Sequence, residues 1–144
     1  MDKDVFLIRL SESSRTAFGK EDFDTQSFPQ KVFSSLWSLE SEVNNGGFSQ
    51  YFLNYSCETA AFVSEALVTI GALKTADLCR RAIAVAFPDG LPSTIEAIRA
   101  AAFAFSDETE DKLNALDNEF FQYPDNLTEL LFVYVSKHPE ESGE

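Results

Sequence analysis

Apolar residues recur every three or four positions along almost the whole chain, and no run alternates with the period of two that a half-buried strand requires. Val32, Leu36, Leu39 and Val43 form the clearest stripe, widened by Phe33 and Trp37. Further stripes follow in Phe62, Ala66 and Ile70, in Ala76, Ile83 and Phe87, and in Ile95, Ile98, Ala102 and Phe105. Leu113, Leu116 and Phe120 make another, and Leu127, Leu130, Leu131, Tyr134 and Val135 the last. A pattern of this kind folds by packing helix against helix. The expected fold is all-α, a single compact domain of about seven or eight short helices.

The punctuation agrees with that reading. Ser27 ahead of Pro29 suits a helix start, because proline in the first turn lacks only an N–H that would have no partner there. Ser93 with Glu96 has the spacing of a capping box, and Ser106 precedes Asp107, Glu108 and Glu110, acids that favour a helix N-terminus. Asn44-Asn45-Gly46-Gly47, Gly71, Pro88-Asp89-Gly90 and Pro124 are the expected stops. The NNGG stop is expected to end one helix and to leave FSQYFLNY as a short aromatic helix of its own. A first helix is expected over residues 4–18, followed by an acidic connection, so that residues 1–28 pack on the main body formed by residues 29–138. Residues 139–144 are expected to be a frayed acidic tail.

Charge is the second constraint. The chain carries 24 acids and 11 bases, a net of −13, and residues 106–144 alone hold eleven acids against two bases. Such a surface repels phosphate backbones and anionic membranes, and it favours a basic protein partner. No stretch approaches the roughly 20 apolar residues of a membrane span. MDKDVFLIRLSESS has neither the charge order nor the apolar length of a signal peptide, so a cytoplasmic location is expected. Cys57 and Cys79 form no CxxC, and with the single His138 they give no metal-binding pattern. No cofactor or metal is expected. Nucleophilic triads and phosphate-binding loops are absent as motifs, which argues against an enzyme.

The segment LESEVNNGGFSQYFLNYS, residues 39–56, resembles the signature of the DNA-mimic protein family. ALVTIGALKTADLCRRAIAVAF and LNALDNEFFQYPDNLTELLFVYVSKHPE are similar to its paired small-residue helices and its closing helices. The likeness runs from about Pro29 onward. It implies an all-α fold and, for some members, a mode of action in which surface carboxylates imitate the phosphates of a duplex and occupy a DNA-binding protein. A homodimer is compatible with the same resemblance.

Two candidate sites follow. The first is an acidic face built from Glu40, Glu42, Asp107, Glu108, Glu110, Asp111, Asp117, Glu119, Asp125 and Glu129. Carboxylates three or four residues apart on a helix stand roughly 5–6 Å apart, on the order of phosphate spacing along a strand. A row through Asp107, Glu110 or Asp111, and Asp117 would meet a partner's Lys and Arg. The competing reading is a solvated face that also stabilises helix N-termini. The second site is the signature turn: Asn44, Asn45, Gly46, Gly47, Phe48, Gln50, Tyr51 and Asn54. Its amides and rings either satisfy backbone and fill the core, or line a small-ligand pocket through Gln50 and Asn54. Three functions remain open: a non-enzymatic acidic binding protein of the mimic type, an immunity-type inhibitor of a basic nuclease toxin, and a ligand-binding or enzymatic domain using the turn.

Overall fold

A computed structural model describes residues 3, 7, 8 and 23–138 of the chain. The expected helix over 4–18, the acidic connection and the tail at 139–144 therefore lie wholly or largely outside the described residues. Among those described there are six α-helices and two 3-10 segments, and no strands. The helices are α1 (Phe28–Leu53), α2 (Ala60–Ile70), α3 (Leu73–Ala86), α4 (Ile95–Phe103), α5 (Asp107–Phe121) and α6 (Leu127–Ser136). The 3-10 segments are Phe23–Thr25 and Tyr55–Thr59.

Of the seven or eight helices expected, the one over 4–18 lies outside the described residues, and two others are joined in α1. The NNGG stop is a kink within α1 and not a break between two helices: only Gly46 (φ −153°, ψ 15°) and Gly47 (φ 80°, ψ −178°) leave helical geometry. Asn44 and Asn45 stay helical, and the aromatic stretch after the glycines resumes the same hydrogen-bonded element.

Most local signals act where they were expected. Ser27 caps α1 in a reciprocal box with Gln30, and Ser106 accepts from the Thr109 N–H at the start of α5. Gly71 ends α2 in the left-handed conformation (φ 89°). One cap moves by a residue: Thr94, not Ser93, starts α4 by accepting from the Ala97 N–H. The start of α3 has no cap of its own at Ala72. Asp125, from the turn before α6, supplies one by accepting from both the N–H and the hydroxyl of Thr75, at 2.8 and 3.0 Å.

α1 is the spine. α2, α4, α5 and α6 all pack on it, and α3 closes the other side against α2 and α5. Val32, Phe33, Leu39 and Val43 are buried on its first half, Phe48, Tyr51 and Phe52 on its second. Beyond the kink the core is a ring cluster: Phe52 meets Phe87 edge-on at 5.1 Å, and Phe48 meets Phe120 edge-on at 6.0 Å. Edge-to-face rings are favourable beyond the area they bury, and their few rotamers define one packing. No described helix is long and apolar enough to cross a membrane.

Candidate functional site

The kink of α1 and the acidic helix α5 form one unit. Gly47 lies in a region of backbone space that is essentially reserved for glycine. The bend turns the Phe48 N–H away from the helix ladder, and Asp117 of α5 accepts it at 2.8 Å. The same carboxylate rests on Gly47, where an added Cβ would stand 2.8 Å from Asp117 Cγ. Two more bonds fasten α5 and its C-terminal end to the signature: Ser49 Oγ donates to Glu110 Oε2 at 2.7 Å, and Asn44 Nδ2 donates to the Tyr123 hydroxyl at 2.7 Å. Tyr123 adopts φ 49°, a left-handed backbone that a tyrosine holds only when tied down. Here the ring packs on Phe120 at 5.6 Å and the hydroxyl takes the Asn44 amide.

The remaining signature amides turn to Glu42, one turn before the glycines. Gln50 Nε2 and Asn54 Nδ2 both donate to Glu42 Oε2, at 2.9 and 2.8 Å. One carboxylate thus clamps the two halves of the kinked helix. Tyr51 is buried, its hydroxyl shared with Thr59, and burial drives its pKa up. Asn45 is exposed. Of the signature residues, Asn44 lines a cavity of about 390 Å3 together with Leu36, Trp37, Glu40 and Leu131.

The ten acids do not form one face. Asp117 is corrected from partner-facing to inward-facing: it is only 7% exposed, and its charge is spent on the Phe48 N–H. Burial raises its pKa, the Phe48 N–H opposes that, and nearby Glu110 raises it further. Asp125 is the cap of α3. Glu119 lies on the opposite flank of α5, bound in a fork to Arg81, which also holds Asp77. That guanidinium keeps the Glu119 carboxyl below its ordinary value. Glu129 pairs with Lys3, and Glu108 with Lys112 at 3.3 Å. Glu40 and Glu42 are half-buried on α1.

What remains outward is compact. Asp107 and Asp111 are exposed and have no partner among the described residues. Glu108 is exposed beside them, and half-buried Glu110 faces the kink. Beyond Asp111 the outer row of α5 continues as exposed Asn114, Asn118 and Gln122, without charge. The expected row through Asp117 is thus not formed. The first two turns of α5 hold the densest carboxylates, and their rotation is set by the kink through Ser49, Phe48 and Asn44. Sequence reading missed Ser49 and Tyr123 as partners in that joint. The left-handed tyrosine ahead of Pro124 leaves no local sign, because its stabilising partner is distant in the chain.

Among the described residues no three metal-ligating side chains stand together. A family model with the description DMP19-like protein matches residues 24–138. No curated protein and no solved structure matches the chain.

Proposed function

The chain belongs to the DMP19-like protein family, and from that premise we propose that it is a non-enzymatic acidic binding protein that occupies a basic, DNA-binding protein in the manner of a DNA mimic. The observation that carries the reading is the first two turns of α5. Asp107 and Asp111, one helical turn apart and without a partner among the described residues, stand with Glu108 and Glu110 on a helix whose orientation is fixed by the buried Asp117–Phe48 bond and the part-buried Glu110–Ser49 bond. A helix already fixed in place loses no backbone entropy when its carboxylates meet Lys or Arg. Their net attraction speeds encounter and weakens with salt.

The test is capture from a lysate of the source cells at low salt, with wild-type chain and the Asp107→Lys/Asp111→Lys variant side by side. A DNA-binding protein retained by the wild type, released by salt and missing from the variant supports the proposal. Equal recovery on the variant excludes this face. Recovery of a basic nuclease in place of a transcription factor would assign the immunity-type role to the same carboxylates.

A further inference from the structure

A groove of about 620 Å3 lies between α3, the C-terminal end of α5 and the turn at Pro124. Its lining is mainly apolar. Leu78 is buried, and Leu73 stands 61% exposed in the first turn of α3. Pro124 is exposed too. Lys74, Arg81 and Gln122 add the hydrocarbon of their stems beneath their polar ends.

The charges at this groove are of two kinds. Arg81 is committed: it donates Nε to Asp77 at 3.1 Å and its two terminal nitrogens to Glu119 at 2.9 and 3.2 Å. Asp77 and Glu119 are thereby spent on it. Lys74 lines the groove with no partner among the described residues. Exposed Arg80, two turns from Leu73 along α3 and also without a described partner, adds a second free cation. α3 carries three bases and one acid, and it is the only described helix in which bases outnumber acids. The acidic start of α5 reaches it weakly: Asp107 and Glu119 are roughly 18 Å apart along their helix, beyond the about 8 Å over which physiological salt screens a charge.

These charges select what can cover the groove. A surface laid over it strips water from the rim. Arg81, Asp77 and Glu119 keep one another as partners when that happens, whereas Lys74 would be left as a lone cation, which is costly. A basic segment would meet Lys74 and Arg80 with no free acid to answer it. We infer that the groove docks an acidic, leucine-bearing segment of a partner protein, its apolar side chain between Leu73, Leu78 and Pro124 and a carboxylate on the Lys74 ammonium. An apolar anchor ringed by satisfied polar groups is the usual build of a strong contact point. This surface takes a partner segment of opposite charge to the one proposed for the start of α5, and it stands independently of that proposal.

The probe is the peptide acetyl-Glu-Glu-Leu-Leu-Glu-Glu-amide, titrated at physiological salt into the isotope-labelled chain and followed through backbone amide shifts. Two control peptides carry Lys in place of Glu, or Ser in place of Leu. Saturable shifts at Leu73, Lys74, Leu78 and Gln122 are expected, with the serine peptide about tenfold weaker and the lysine peptide silent at these positions. Lys74→Glu should weaken the acidic peptide about tenfold, while Lys137→Glu, the same charge change outside the groove lining, should not. Both positions are exposed, so both variants should keep the wild-type amide pattern elsewhere. Absence of groove shifts at millimolar peptide would overturn the proposal. Equal weakening by both variants, or equal binding of the serine peptide, would overturn it too, since either marks diffuse attraction between charges. A lysine peptide that binds the groove as tightly would make it a simple apolar cleft. Groove shifts that grow with chain concentration in the absence of peptide would give the surface to a second copy and overturn the proposal as well.

Discussion

Gly47 is the position where one atom decides most. A side chain there would hold a conformation costing about 1–3 kcal/mol and would also push against the Asp117 carboxylate. Gly47→Ala should therefore lower the unfolding free energy by at least that much, read as a fall in the urea midpoint, since Asp117 cannot keep both its place and its bond to Phe48. Gly46→Ala should be milder. Its φ is one any residue adopts, so the cost is steric alone: the added methyl would stand 2.6 Å from Gln50 Cδ and 2.9 Å from its Cβ, and would disturb the Gln50 bond to Glu42. Asp117 makes a second residue-scale prediction. Its folded pKa is raised above the ordinary 3.8, so its contribution to stability is full below that value and falls as pH rises through the folded pKa. Asp117→Asn keeps an acceptor for Phe48 but does not ionise. Urea unfolding at pH 3.5 and at pH 7 should show the variant gaining on the wild type as pH rises; a gain at the acid end would contradict the assignment.

At the scale of elements, the joint between kinked α1 and α5 explains both what was legible and what was not. Asp125→Ala removes the side-chain cap described at the start of α3 and should cost about 1 kcal/mol, with faster hydrogen exchange in the first turn of that helix and no change in partner binding. That outcome separates Asp125 from the acidic face to which sequence position alone assigned it. Helix stripes, the Ser27 and Ser106 caps and the Gly71 turn could be read directly, because each is settled by neighbours a few residues away. The α4 cap slipped by one residue because Ser93 and Thr94 are both hydroxyl caps and the local spacing favours either. Asp117 and Asp125 could not be read, since their partners lie 69 and 50 residues away along the chain. An inward aspartate and an outward one look alike until the helix has a neighbour. The NNGG motif announced a change of direction, and only the packing of α5 determined that the helix would continue through it.

The molecule as a whole carries −13, but its charges are used unevenly. Glu119, Glu129, Asp125 and Asp117 are committed to Arg81, Lys3, Thr75 and Phe48, which leaves a compact acidic patch at the start of α5. A compact patch on a helix anchored through the buried Asp117–Phe48 bond makes mimicry a question of geometry as well as of net charge. The most direct measurement is displacement. The DNA-binding protein captured from the source cells is loaded with a fluorescent duplex, and the chain is titrated in at low salt while anisotropy is followed. Mimicry predicts competitive release of the duplex, with the Asp107→Lys/Asp111→Lys variant needing about tenfold or more of the concentration. A duplex that stays bound at saturating chain, or that the variant releases equally well, would contradict the assignment of mimicry to α5.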